Sequence, residues 1–255
     1  MLTIQNSVKD CLGGQHLPYL QSPSLRLQKM VNVEQRVSDS ELKAVCAVSE
    51  KVKSLKLPNA PFSIGGAVSF TMKLGGRLLV NHAGGVLENA NLCIHRNLGY
   101  PYIPGSALKG IARHAAWSEW ADAGGPEELA QSIARVFGYP TGDNGLDMLL
   151  KKSKVAEQSG CIAFLPAYPV GDNWKLVVDV LTSHGECDTK NPIPIFFPAV
   201  EKGAAFKFSI VPAKGRGSKD DLALALKYLK KGLAENGIGA KTAAGYGWFM
   251  EVAHE

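Results

Sequence analysis

Near the C-terminus, the run Asn236-Gly237-Ile238-Gly239-Ala240-Lys241-Thr242-Ala243-Ala244-Gly245-Tyr246-Gly247-Trp248 gathers groups able to hold an anion. Four glycines fall within the eleven residues from Gly237 to Gly247. At that density, main-chain amides can come close to a ligand and turn toward it. Lys241, beside Thr242, adds positive charge, and Tyr246 or Trp248 adds a surface to stack on. The run is not a Walker phosphate loop, which needs Gly where this chain has Ala240 and Glu235. It is not the dinucleotide fingerprint either, because Thr242 stands where the third Gly is required. Both nucleotide motifs also run strand, loop, helix, whereas here a helix pattern precedes the run and a strand pattern (Trp248 to Val252) follows it. A reading without a ligand stays open: Gly237 ends a helix and the remainder is a turn.

The stretch Tyr100-Pro101-Tyr102-Ile103-Pro104-Gly105-Ser106 leads rigidly into a second helix pattern, with Ser106 expected as its N-cap. Leu108, Ile111, Ala112 and Ala115 make the inward stripe. Lys109 and Arg113, four residues apart, share another face. Amides at a helix start favour a phosphate, so Ser106, Lys109 and Arg113 form a second candidate anion site. The plain alternative is a capped helix with two surface cations.

Acid–base and metal chemistry have weaker support. His82, His95, His114 and His184 are scattered, and His114 is the candidate general acid or base only because it follows Arg113. The close carboxylate pairs are Asp143 with Asp147 and Asp220 with Asp221. The latter pair stands at a helix start, where acids favour the dipole. Cys11, Cys46, Cys93, Cys161 and Cys187 include no C-x-x-C pair, so neither a zinc nor a redox motif is present, and free thiols in a reducing cytoplasm are expected. No metal and no cofactor are expected.

The elements that must position these groups follow from pattern and composition. The chain has 255 residues, 45% hydrophobic and 20% charged, enough for a large core. No apolar run approaches the ~20 residues of a membrane span, and no signal peptide is visible. The net charge is +5 and the pI about 8.9, compatible with nucleic acid. Between Glu201 and Lys231 eight basic residues face three acidic ones, an excess equal to that of the whole chain. It includes the basic, Gly-rich turn Lys214 to Ser218, and Lys151, Lys152 and Lys154 form a separate basic segment. An irregular arm with Gly13-Gly14 and Pro18 holds a short helix near 25–31. A capping box, Ser38-x-x-Glu41, opens a helix over 39–55 that Pro58 and Pro61 end. A strand or hairpin spans 67–80, broken at Gly75-Gly76. Pro126 opens a helix with Leu129, Ile133, Val136 and Phe137 inward. Strands are expected at 160–167, 174–181 and 205–211, with 184–194 a loop. Ser218-x-x-Asp221 caps the last helix, with Leu222, Leu226, Leu229 and Leu233 inside.

Two motifs together carry a resemblance. Ile103-Pro104-Gly105-Ser106-Ala107-Leu108-Lys109-Gly110-Ile111-Ala112-Arg113 resembles the I-P-G-S-S-L-K-G-x-x-R helix start of the RAMP superfamily, RNA-binding proteins of CRISPR effectors. Gly237 to Gly247 resembles that superfamily's C-terminal glycine-rich loop. Its form G-x-G-A-K-T-x-x-G-Y-G is similar to that of the sixth-subunit family of the type III-B (Cmr) complex. Val136-Phe137-Gly138, the strand Gly160 to Pro169, Asp179 to His184 and Asn191 to Phe208 agree in order, over residues 62 to 252. One departure is Pro166, where the family usually has Asp.

The resemblance implies an α+β fold, with a ferredoxin-like (RRM-like) core whose antiparallel sheet is backed by helices and carries insertions. It divides the chain into an N-terminal arm and helix, 1–61, and a RAMP domain, 62–255, with the glycine-rich loop at 237–247. It implies a non-catalytic, cytoplasmic subunit of a type III CRISPR ribonucleoprotein for antiviral defence. Such a subunit binds guide RNA and target RNA near the guide 3′ end, and its partners are other Cmr-type RAMP subunits and the small helical subunit. The target-cleaving aspartate is attributed to a different subunit. The RNA-binding residues expected are Ser106, Lys109, Arg113, Gly237, Gly239, Lys241, Thr242, Gly245 and Tyr246. The alternative is a metal-independent RAMP endoribonuclease that processes guide precursor, as some relatives do with a His general acid or base.

Overall fold

The computed structural model describes residues 22–29, 39–53, 66–84, 90–139, 155, 157–183 and 193–252. Outside them lie Gly13-Gly14, Pro18, Ser38 of the expected capping box, Pro58, Pro61, Asp143, Asp147, the Lys151, Lys152 and Lys154 segment, His184, Cys11 and Cys187.

A period of two in Val68–Leu74 (β1) sends Met72 and Leu74 into the core and leaves Thr71 and Lys73 exposed. β1 pairs antiparallel with Ala205–Pro212 (β6) on one side, Lys73 opposite Ala205, and with Phe249–Glu251 (β7) on the other. The far side of β6 carries Ile162–Phe164 (β2) and Tyr168–Pro169 (β3), giving the order β2-β6-β1-β7 with β3 also on β6. The single strand expected over 160–167 is interrupted at Leu165-Pro166. The Leu165 amide still reaches the Ser209 carbonyl at 3.0 Å, but Pro166 has no N–H to continue the ladder. The segment after Gly75-Gly76 is not the return strand of a hairpin: Leu78 makes an isolated bridge to Val200 instead.

Gly105–Asp122 (α3), Glu127–Phe137 (α4) and Lys219–Lys231 (α5) back this sheet. The main elements thus run β1, α3, β2/β3, β6, α5, β7, a βαββαβ chain with antiparallel neighbours, as expected of the α+β fold class. Phe206, Phe208 and Ile210 of β6 meet Leu108, Ala112, Tyr228 and Leu229 in one core, and Phe249 stands edge-on to Phe208 with centroids 5.2 Å apart. The start of α5 is the capping box read from sequence. Asp221 N–H donates to the Ser218 hydroxyl (3.1 Å) and Ser218 N–H to the Asp221 carboxylate (2.9 Å). Arg135 of α4 donates to the same carboxylate.

An inserted hairpin follows β3: Leu176–Ser183 (β4) pairs with Ile193–Val200 (β5) over eight residues. β5 lies outside the expected strands, and its first two residues fall in the expected loop 184–194; it carries Pro194 and Pro198, which lack the N–H of a central strand. In a two-stranded sheet every strand has a free edge, so a missing N–H there is tolerated. Asp39–Lys53 (α2) packs on β4 and β5, and Pro23–Lys29 (α1) packs on α2. Their Leu27, Leu42 and Val45 belong to the same core as the main sheet. Among the described residues, no helix is long and apolar enough to cross a membrane.

Candidate nucleic-acid interface

The last helix unwinds through one π turn, Gly232–Asn236, and stops at Gly237. Its positive φ of 71° turns the chain, and its N–H closes on the Gly232 carbonyl at 3.1 Å. The loop then has a buried neck and an exposed crown. In the neck, Ile238 N–H donates to Gly247 O (2.9 Å) and Gly247 N–H to Arg77 O (2.7 Å). Ala240 N–H donates to Leu79 O (2.8 Å). The crown runs from Gly239 to Gly245 around the 3₁₀ turn Thr242–Ala244. Among the described residues, the amides of Gly239, Lys241, Thr242 and Ala243 have no hydrogen-bond partner.

These details correct the role expected of the glycines. A Cβ at Gly239 would lie 2.0 Å from the Leu79 carbonyl, so the close approach there is to the chain's own backbone. Gly237 is buried. Gly245 is exposed with φ 89° and open space around it, and its own amide donates to Thr242 O at 3.0 Å. Lys241 sits at the summit in the left-handed region (φ 60°), unusual for a residue with a side chain. Its Nζ lies 5.8 Å from the centre of the Phe197 ring on β5. Thr242 is half-buried, and its carbonyl accepts from Trp248 Nε1 at 2.9 Å.

Tyr246 is a second correction, since it offers no surface to stack on. It is buried, edge-on to Phe197, and its hydroxyl donates to Asp179 of β4 at 2.5 Å. The same carboxylate accepts from Arg77 (2.5 Å) and from the Val180 amide (2.9 Å). Burial alone would raise the Asp179 carboxyl, yet the Tyr246, Arg77 and Val180 donors together hold it below the ordinary carboxylate range. Burial, followed by the bond to Asp179, pushes Tyr246 up to about 12. Sequence reading missed this junction. Asp179 and Arg77 stand about a hundred residues apart, and the resemblance over Asp179 to His184 was the only hint of it.

The second site begins differently from expectation. Pro104, not Ser106, is the N-cap of α3, with extended φ and ψ and no side-chain cap. The helix therefore starts one residue before Ser106, and the Ala107 and Leu108 amides turn back to the Pro104 carbonyl at 3.0 and 3.2 Å. The Gly105 and Ser106 amides are left over. Ser106, Lys109 and Arg113 do line one open groove of about 960 Å³, as their spacing predicts. Its other walls are Phe137 to Tyr139 at the end of α4 and Glu157 to Gly160 before β2.

The crown and the groove are not one site. The groove lies along β2, while the loop is anchored beside β1 and β7. These are opposite edges of the sheet, roughly 14 Å apart across three strand spacings, with a further offset along the strands because β2 starts at the Pro212 end of β6 and the loop sits at the Ala205 end.

Among the described residues, the histidines do not assemble. His114 is exposed on α3 and does not line the groove. His95 accepts from the Leu98 amide at 3.1 Å within a tight turn. His82 is buried edge-on to Phe197 with Nδ1 unpaired, and burial together with the Lys241 charge lowers its pKa. Asp221 serves the α5 cap, and Asp220 is exposed. Among the described residues, no group of three or more His, Cys, Asp or Glu is placed to hold a metal.

A model of the RAMP superfamily matches residues 61–250. The chain is 27% identical over 235 residues to the CRISPR system Cmr subunit Cmr6 of Pyrococcus furiosus, covering 72% of this chain and 68% of that protein. It superposes on a chain of a type III-B Cmr-beta complex bound to cognate target RNA with a TM-score of 0.54 at 18% identity. That match covers 98% of this chain and 88% of the other. Against the crystal structure of the P. furiosus Cmr6 the TM-score is 0.44 at 24% identity, over 73% and 98% of the two chains. The family match spans most of the sequence, including the α3 helix start, the interrupted β2/β3 strand and the glycine-rich loop, and the chain belongs to the RAMP superfamily.

Proposed function

We propose that this chain is a non-catalytic RNA-binding subunit of a cytoplasmic type III-B CRISPR (Cmr) effector. It holds the guide RNA and target RNA near the guide 3′ end and packs against other RAMP subunits and the small helical subunit. The observation that carries this reading is the crown of the glycine-rich loop. Four unpartnered amides and the Lys241 ammonium stand together on an exposed turn, the donor set that suits a phosphate. The groove of Ser106, Lys109 and Arg113 offers a second backbone contact on the other edge of the sheet. Recognition through main-chain amides and cations is indifferent to sequence, which base pairing between guide and target supplies. The similarity to a Cmr6 protein and the fold shared with a chain of a target-bound Cmr complex support the assignment to that assembly. We also propose the division into residues 1–61 and a RAMP domain, 62–255, supported by the start of the family match at residue 61.

Titration of labelled guide-length RNA against the protein at several salt concentrations tests this. Replacing Lys109 and Lys241 together by Ala should weaken binding. The slope of log K against log salt should shrink by about 1.5, since each phosphate no longer neutralised removes ~0.7–0.9. An unchanged affinity and slope would refute the reading.

A further inference from the structure

The basic turn between β6 and α5 takes no part in either site described above. Lys214, Arg216 and Lys219 are exposed, and none of them makes an ion pair or hydrogen bond through its side chain among the described residues. The turn is held rigidly all the same. Ala213 N–H donates to Cys161 O (2.7 Å), and Arg216 N–H and Gly217 N–H fold back on Ala213 O (2.9 and 3.4 Å). Of the two neighbouring acids, Asp221 is neutralised by Arg135 and the cap, leaving three free cations against Asp220 alone.

Position gives the turn a meaning. β6 begins at the end of the sheet that carries the glycine crown, where Lys73 pairs with Ala205 and Gly75 N–H meets Trp248 O. It ends seven residues later at the turn, where Pro212 pairs with Ile162. The two cationic ends are therefore separated by roughly 23 Å of strand, at about 3.3 Å per residue. An acidic protein partner would be expected to bury an apolar centre as well, but none of the exposed large hydrophobic residues lies in this turn. A phosphate backbone needs only cations and access.

We infer that the Lys214, Arg216 and Lys219 turn is a second, independent contact for the backbone of a nucleic-acid strand whose other contact is the glycine crown. The inference rests on the RNA-binding reading proposed above. The gap corresponds to about seven nucleotides at 3.4 Å each in helical form.

The test uses the full chain and two oligouridylates, one too short to span that gap and one about twice its length. Replacing Lys214, Arg216 and Lys219 together by Ala should leave binding of the short RNA unchanged. It should weaken the long RNA and reduce its salt slope by about 2, at ~0.7 per single-strand phosphate. Neutralising Lys43 and Lys175, which lie elsewhere, should leave that slope alone. If the triple variant binds the long RNA like the parent while Lys241→Ala weakens it, the turn is no contact and the crown reading stands. If the parent binds neither RNA, both fall. Loss of assembly with other subunits at unchanged RNA affinity would assign the turn to a protein partner and overturn the inference.

Discussion

Tyr246→Phe isolates the bond that ties the glycine-rich loop to the β4–β5 hairpin. The Tyr246 hydroxyl and the Asp179 carboxylate are both buried and lie 2.5 Å apart, and Asp179 also holds Arg77. A hydrogen bond to a charged acceptor is worth about 1.5–3 kcal/mol, and removing the O–H adds little cavity. The expected loss at neutral pH is therefore about 2 kcal/mol, or roughly 4–8 °C in Tm for a chain of this size. Thermal and denaturant melts followed by circular dichroism measure it.

Acid should shrink the difference. Because Asp179 is held below its unfolded value, the stability it contributes is present above pH ~4 and lost as pH falls through the folded value. Tyr246 has the opposite sign. Raised to about 12, it contributes stability present below its ordinary value of ~10 and lost as pH climbs through about 12. A double-mutant cycle with Asp179→Asn should give a coupling of at least about 1 kcal/mol. Additive effects within ~0.5 kcal/mol, or a Tyr246→Phe variant as stable as the parent, would refute the junction as the loop's anchor.

Two further substitutions separate packing from binding. Gly239→Ala places a methyl 2.0 Å from the Leu79 carbonyl at a φ of 98°. It should cost at least about 2 kcal/mol in denaturant melts, because strain of ~1–3 kcal/mol adds to the clash. Lys241→Gly relieves the left-handed strain at the crown, so stability should stay within about 1 kcal/mol of the parent. RNA affinity should nevertheless fall, and a variant that keeps full affinity would remove Lys241 from the RNA-binding surface.

Much of this protein is legible in one dimension. Periods of 3.6 place Leu108, Ala112 and Ala115 inward and put Lys109 and Arg113 on a common face, because helical geometry alone decides which neighbours align. The Ser218 and Asp221 capping box is likewise local, its partners three residues apart. The two family motifs identify the superfamily before any tertiary pairing is known.

Other features needed the third dimension. Pro194 and Pro198 argue against a strand at β5, yet it forms because a partner strand and a helix cover its Ile, Phe and Val side chains. Ser106 lost the cap to Pro104 because the extended approach fixes the helix start two residues early. The destiny of each glycine depended on what stands opposite: Leu79 O against Gly239, open solvent around Gly245. Tyr246 turned inward because a carboxylate 67 residues away waits for its hydroxyl. Short-range sterics and periodicity are written in neighbouring residues, whereas burial, long-range pairing and the placing of crown and groove on opposite sheet edges arise only when distant segments meet.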